Sequence, residues 1–417
     1  MKNWLVEQLQ RMNLSDVLVR PQGFTREGYT SEETEAIEVF KTIAEELGLE
    51  ASEDAAGNAI ARWNVSGGQA AVAMGSHLDT VPNGGAFDGG AGVVCGLGAL
   101  KMLKEADFEP QRPIEVICFR SEESSRFGVS TIGSKAMSGL LDPSIGTLED
   151  QHGVTLAQAA ESQGFVWQEL LNAKRPKEQL KCFVELHIEQ GMHIVNHEKD
   201  YGVVKGVACP IRLAVTFNGK AGHTGTTPMD QRKDALAAAA PFISFVQETA
   251  LQVNDAYGNG KSLVATVSTL TVSPNSMNVI PQTVTAGVDI RSVDDRLKMK
   301  MADAIRSEAK RIEETTGVAI DIEVLVDNPS VLLDDGIARQ LVDAGDHEAY
   351  LAHRMDSGAG HDVMNMAQTW PSGLLFIPCK DGLSHHPDEF AAAEDLKMGV
   401  ELLSRFLMEA TANAGNS

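Results

Sequence analysis

The chain reads as a mixed-sheet α/β protein into which a smaller α+β domain of ferredoxin-like order is inserted, and three observations lead there. Four apolar, strand-like runs, at residues 70–74, 114–119, 183–186 and 374–377, each finish in a loop holding His, Asp or Glu. Between the third and fourth runs the pattern changes to β-α-β-β-α-β. The length of 417 residues exceeds one comfortable core, so two domains are expected. The expected boundaries put the larger domain at 1–209 and 328–417 and the inserted one at 210–327, with Asn328-Pro329 turning the chain back.

Each element has a local reason. Thr30 followed by Glu33 has the form of a capping box, and Ala36, Ile37, Phe40, Ile43, Ala44 and Leu47 then recur at helical spacing until Gly48. The run 70–74 leads into Gly75-Ser76-His77-Leu78-Asp79, where an extended backbone puts His77 and Asp79 on one face. That pair suits a metal-binding imidazole whose other nitrogen is held by a carboxylate. A strand followed by a glycine turn with a buried polar pair has the same form. Asp88 lies among Gly84, Gly85, Gly89 and Gly90, and the small, apolar residues 90–104 read as a helix packed closely on a sheet. The run 114–119 enters Ser121-Glu122-Glu123, the run 183–186 enters His187-Ile188-Glu189-Gln190-Gly191, and the run 374–377 precedes Gly382-Leu383-Ser384-His385-His386-Pro387. In open α/β sheets the site lies beyond the carboxyl ends of strands, so these loops are expected to converge. In the inserted segment, strands are expected at 211–217, 263–272, 284–290 and 318–326, and helices at 232–250 and 294–317.

Composition narrows the partners. Hydrophobic and charged fractions of 43% and 22% describe a soluble globular protein, and a net charge of −23 argues against nucleic acid or an anionic membrane. Cys95, Cys118, Cys182, Cys209 and Cys379 are odd in number and scattered, which fits reduced, buried thiols in a cytoplasmic protein. Residues 1–7 lack the apolar core of a signal peptide, and the most apolar stretch, 235–246, contains Pro241 and is too short to span a bilayer.

His77, Asp88, Glu123, His187 and His385 offer nitrogen and oxygen donors of the kind that bind zinc, manganese, cobalt or nickel. With Asp88 shared, two groups of three can be drawn: His77, Asp88 and His187, then Asp88, Glu123 and His385. Two ions about 3.5–4 Å apart would polarise a carbonyl and acidify a water between them. Glu122, beside Glu123, could take that water's proton and pass it to a leaving nitrogen. A solvated acidic turn is the commoner fate of such a pair.

The segments GSHLDTVPNGGAFDG, SEESSRFG, ELHIEQG, GKAGHTGTTPM, MNVIP with DIRS after it, SGAGHD and GLSHHPDE together span nearly the whole chain. In this order they resemble the M20 metallopeptidase family, in particular its branch of N-carbamoyl-L-amino acid hydrolases and allantoate amidohydrolases. The histidine of ELHIEQG separates that branch from many M20 peptidases, which place an acidic ligand there. The resemblance implies an α/β/α dinuclear metallohydrolase domain, with the insert as lid and dimerisation domain of a homodimer. It implies two divalent ions per subunit on His77, Asp88, Glu123, His187 and His385, with Glu122 as general acid/base and Asp79 orienting His77. It also implies that His223 stabilises the oxyanion, that Arg291 grips a substrate carboxylate, that Gln190 and Asn278 contact the ureido or amide group, and that Gly358 and Ala359 offer backbone contacts. His361 and Asp362 fall in the same loop as support. Three departures stand out: His386 where Ser or Asn is common, Asp356 where proline is common, and Arg212 at the start of the insert. Ser384 and Pro387 fix the register in favour of His385.

The implied reaction is hydrolysis of the carbamoyl C–N bond of an N-carbamoyl-L-amino acid to the amino acid, carbon dioxide and ammonia, by hydroxide held between the two ions. Allantoate is the nearest rival substrate, followed by the acyl amino acids and dipeptides of the same family. A non-catalytic metal- or ligand-binding protein is the reading from another class, and a free carboxylate at Glu122 speaks against it.

Overall fold

The computed structural model describes residues 1–257 and 262–412. Helices α1 (Lys2–Met12) and α2 (Ser31–Glu46) precede the hairpin β1 (Glu50–Glu53) and β2 (Ala59–Trp63). Then come β3 (Ala71–His77), α3 (Gly90–Glu105), β4 (Ile114–Phe119), α4 (Ile132–Ser138), α5 (Leu156–Ser162), β5 (Leu180–Ile188), the one-turn α6 (His193–Asn196) and β6 (Tyr201–Val207). β7 (Pro210–Asn218), α7 (Ala235–Tyr257), β8 (Val264–Ser273), β9 (Thr283–Arg291), α8 (Asp295–Thr316) and β10 (Ala319–Asp327) follow. The chain ends with β11 (Val331–Leu332), α9 (Asp335–Glu348), β12 (Ala352–Ser357), α10 (Val363–Met366), β13 (Ser372–Ile377) and α11 (Ala393–Ala410). These elements form two compact units, one of residues 1–205, 333–355 and 360–417, the other of 206–332 and 356–359.

The first unit is built on a mixed sheet ordered β1-β2-β4-β3-β5-β13-β6. Its four middle strands, β4, β3, β5 and β13, run parallel. β3, β4 and β13 are buried along their whole length, because helices cover both faces, as a parallel core requires. Alternate residues, Val72, Met74, Val116, Val184, Leu186 and Leu375, join one core with α1, α3 and α11. α10 packs on β5 and β13 and against α4. Parallel strands end on one edge of a sheet, and the register makes this concrete: His77 lies opposite Phe119, and His187 opposite Phe376.

The second unit is a four-stranded antiparallel sheet ordered β10-β7-β9-β8 with α7 and α8. Ile211, Leu213, Val215, Phe217, Val284, Ala286, Val288 and Ile290 form its core with both helices. By alternation Arg212, Asp289 and Arg291 fall on the other face. Buried Lys298 of α8 donates to the carbonyls of Cys209 and Asn328, each at 2.8 Å, and so ties the entering and leaving strands of this unit together.

Two sequence expectations need amendment. α7 continues through Pro241 to Tyr257, well past the expected end at 250, and no helix among the described residues is long and apolar enough to cross a membrane. The capping box forms only by half. Thr30 Oγ1 accepts the Glu33 N–H at 3.3 Å, but the Glu33 carboxylate turns away from Thr30 N to accept Tyr29 N and Ser121 N. All five cysteines are buried free thiols.

Candidate metal centre and active site

Asp88 is the pivot of the first unit's site. Its Oδ1 lies 2.9 Å from His187 Nε2 and 3.5 Å from His77 Nε2, while its Oδ2 lies 3.2 Å from His385 Nε2. His385 Nε2 is also 3.3 Å from Glu123 Oε1. The two oxygens of one carboxylate thus face two separate groups: His77, Asp88 and His187, and Asp88, Glu123 and His385. His385 reaches the cluster, whereas the His386 ring accepts the N–H of Asp388.

The imidazoles are preset for this. His77 Nδ1 lies 3.0 Å from the Asp79 carbonyl and His187 Nδ1 lies 2.9 Å from the Ile188 carbonyl, so both Nδ1 atoms carry the proton and both Nε2 atoms are turned toward Asp88. Gly89 lets the loop fold this tightly: its φ is +64°, and a Cβ there would lie 2.6 Å from atoms of the His77 ring.

Buried carboxylates hold the backbone of the Asp88 loop and of the Glu122-Glu123 loop. Asp79 accepts the N–H groups of Glu122 and Glu123 at 2.9 and 2.8 Å, so it anchors their loop as well as facing His77 Nδ1 at 3.4 Å. Glu389 accepts Phe87 N and Asp88 N at 3.0 and 2.8 Å. Glu185 accepts Val363 N at 2.8 Å and the Ser76 hydroxyl at 3.1 Å. Gln190 and Ser384 both donate to Asp88 Oδ2, at 2.9 and 2.8 Å. Glu33, Glu185, Ser384 and Glu389 are absent from the sequence-derived set. Glu185 carried a signal, a charge inside an apolar strand run. Ser384 and Glu389 lie inside the GLSHHPDE segment with nothing there to mark their partners, and Glu33 had a helix-cap spacing that pointed elsewhere.

The electrostatics are those of a cation site. Burial works against Asp88, yet His187, His385 and His77 around it hold its carboxyl well below the usual range. Burial likewise opposes charge on His77, but Asp79 and Asp88 hold it well above the ordinary imidazole value, and Asp88 and Glu123 lift His385 to about 11. Two groups of imidazole nitrogens and carboxylate oxygens converge here, and this donor set fits divalent ions. Glu122 differs: burial pushes its carboxyl well above the usual range, and its Oε2 lies 3.9 Å from His77 Nε2, outside both groups of three. Burial beside His187 holds the His361 imidazole well below its ordinary value, and its ring meets the His187 ring edge-on at 4.6 Å. Asp362 accepts the Ser134 hydroxyl.

The remaining sequence-derived residues, His223, Asn278, Arg291, Gly358 and Ala359, belong to the second unit. His223 pairs with Val279 in an isolated bridge, and Thr224 N donates to the Asn278 carbonyl at 3.2 Å. Gly225 N donates to His223 Nδ1 at 3.1 Å, which leaves Nε2 of this exposed ring as the protonated donor. Arg291 and Arg212 both bind Asp289, at 2.7 and 2.8 Å, and Arg291 Nη1 also donates to the Gly358 carbonyl.

The parallel strands, with donors at their carboxyl ends, define a hydrolase-type α/β metal centre. The chain belongs to the M20/M25/M40 peptidase family, whose pattern matches residues 73–409. It is 36% identical to an N-carbamoyl-L-amino acid amidohydrolase of Geobacillus stearothermophilus, covering 94% of this chain and 95% of that one. It is 36% identical to a ureidoglycolate hydrolase of Oryza sativa subsp. japonica (91% and 79%) and 34% identical to an allantoate amidohydrolase of Escherichia coli (93% of each). The crystal structure of a hydantoinase/carbamoylase-family amidase from Burkholderia multivorans superposes with a TM-score of 0.88 at 29% identity, over 99% of this chain and 98% of that one. The protein is therefore an amidohydrolase, a metal-dependent hydrolase of C–N bonds.

Proposed function

We propose that the protein cleaves the carbamoyl C–N bond of N-carbamoyl-L-amino acids, with two divalent ions per subunit held by His77, Asp88, Glu123, His187 and His385. The observation that carries this reading is a shared carboxylate, Asp88, facing two donor groups while a separate buried carboxylate, Glu122, stands beside them. Zinc, manganese, cobalt or nickel at such a site would polarise the carbamoyl oxygen and lower the pKa of water. Glu122 takes a proton from the attacking water and returns it to the departing nitrogen. Asp79 keeps Glu122 and Glu123 in register through their N–H groups.

Gln190 sharpens the reading. Its Nε2 is committed to Asp88 and Ser384, but its buried Oε1 has no hydrogen-bond partner. An N–H of a ureido group would satisfy it. Of the second unit's residues, Arg291 binds the substrate carboxylate through its planar fork, His223 donates Nε2–H to the developing oxyanion in the partner subunit's site, and Asn278 and the Gly358–Ala359 backbone contact the substrate. We assign the insert that makes up most of this unit, residues 210–327, as lid and dimerisation domain of a homodimer.

Allantoate is the second reading, since a relative of similar identity bears that name. The test is ammonia release from a panel of N-carbamoyl-L-amino acids, allantoate, ureidoglycolate and dipeptides, with metal content measured on the same sample. The highest kcat/KM is expected for an N-carbamoyl-L-amino acid. A preference for allantoate or ureidoglycolate would replace the substrate and keep the machinery. Turnover of none of them by metal-loaded protein would overturn the reading.

A further inference from the structure

We propose that Glu33, on α2, is a positioning residue for Glu122 and Glu123: its buried carboxylate clamps the left-handed turn at Ser121 from which both are aimed. The inference rests on the proposed role of Glu122, and its test is chosen to separate the two.

Ser121 has φ of +54°, a conformation that a residue with a Cβ adopts at a cost and that persists only where its surroundings over-determine it. Glu33 is fully buried; its Oε1 accepts Ser121 N at 2.7 Å and its Oε2 accepts Tyr29 N at 2.6 Å. Arg120 Nη1 lies 3.1 Å from Oε2 and supplies the compensating charge. With Asp79 taking the next two N–H groups, three successive amides, of Ser121, Glu122 and Glu123, end on two buried carboxylates. The carbonyls are taken as well: Gly133, Ile132 and Thr131 donate to those of Arg120, Ser121 and Glu122. Gly28 closes the space, since a Cβ there would lie 2.1 Å from Ser121 Oγ. The helix cap that Glu33 could have completed is given up for this contact. A carboxylate so placed fixes where the next two side chains leave the backbone, and a misplacement of about 1 Å at a reacting group can cost about 100-fold in rate.

Glu33→Asp keeps the charge beside Arg120 but is too short to reach Tyr29 N and Ser121 N together. Thr34→Val removes another Arg120 partner, the hydroxyl 2.9 Å from Nη1, without touching Ser121. For E33D we expect kcat at least tenfold down with KM within about twofold, and weaker Zn²⁺ binding when the ion-free protein is titrated. T34V should lose comparable thermal stability with kcat and Zn²⁺ affinity unchanged. In the wild-type protein, the amides of residues 121–123 should be among the slowest to exchange with deuterium, a readout that needs neither turnover nor a folded variant. Unchanged kcat and Zn²⁺ affinity in E33D, equal losses of kcat in E33D and T34V, or fast exchange at 121–123 would each overturn the proposal. A wild-type protein inactive on every substrate would sink the assigned function instead, and the exchange and Zn²⁺ measurements would still decide the clamp.

Discussion

At the strand ends of the first unit, His77, Asp79, Asp88, Glu122, Glu123 and His187 are all buried, His385 alone of the proposed ion ligands is exposed, and the backbones of Asp88, Glu122 and Glu123 are tied to carboxylates that are buried in turn. In the second unit, His223, Asn278 and Gly358 are exposed, and His223 is oriented by a single hydrogen bond from Gly225. The contrast separates two duties. Apart from His385, the groups assigned to hold ions and place a base are enclosed by their surroundings, whereas His223, Asn278 and Gly358, assigned to meet the substrate, stay accessible to it. Substitutions in the two regions should therefore fail in different ways.

The largest effect is expected at Glu122. Glu122→Gln keeps the shape and the backbone bond to Asp79 but cannot accept a proton, so kcat should fall by about 10³-fold with ion content unchanged. Parallel turnover assays and elemental analysis check this, and loss of ions would place Glu122 among the ligands. His223→Ala should lower kcat by about 100-fold, again with full ion content, because it removes one donor to the oxyanion. A drop in bound ions there would break the contrast between the units.

Much of this was legible in the sequence because it is local. His77 ends β3 with Asp79 two residues beyond it, and Glu122-Glu123 and His187 follow apolar runs at strand ends. The parallel order of β4, β3, β5 and β13 then brings those ends together, which chain-wise periodicity hints at but cannot order. What stayed hidden acts across long separations. Glu389 holds the Asp88 backbone from about three hundred residues away, and Glu33 holds Ser121 from the N-terminal side. Neither carboxylate's backbone partners are marked by any pattern in its own neighbourhood. The capping-box spacing at Glu33 was misleading for that reason: local geometry allowed one partner, and tertiary structure supplied a better one.

A smaller effect, in affinity and not rate, is expected at Arg291. Its guanidinium is shared between Asp289 and the Gly358 carbonyl, so part of its fork is already engaged. Arg291→Lys keeps the charge and loses the planar fork, so KM should rise about tenfold while kcat changes little. Initial-rate kinetics over a wide substrate range make the distinction, and an equal fall in kcat would mean that Arg291 acts on the transition state.

The last effect, on stability and not on turnover, asks whether carboxylate scaffolding extends beyond the site. Burial lifts Asp54 to about 6, although its Oδ1 accepts Ala56 N and Asn58 N and its Oδ2 accepts the Asn58 amide. Asn58 in turn accepts Arg120 N, the residue that neutralises Glu33. Because the folded state holds this proton more tightly than the unfolded chain does, the stabilisation it brings is complete below about pH 4. It fades as pH rises through 6, by at most about 3 kcal/mol. Denaturant unfolding of the ion-free protein at pH 4.5 and 7 should show a steeper decline in the wild type than in Asp54→Asn, whose side chain does not titrate. Equal declines would mean that Asp54 is charged in the folded protein at both pH values, so that its three hydrogen bonds outweigh its burial and the scaffold around Arg120 is anionic throughout.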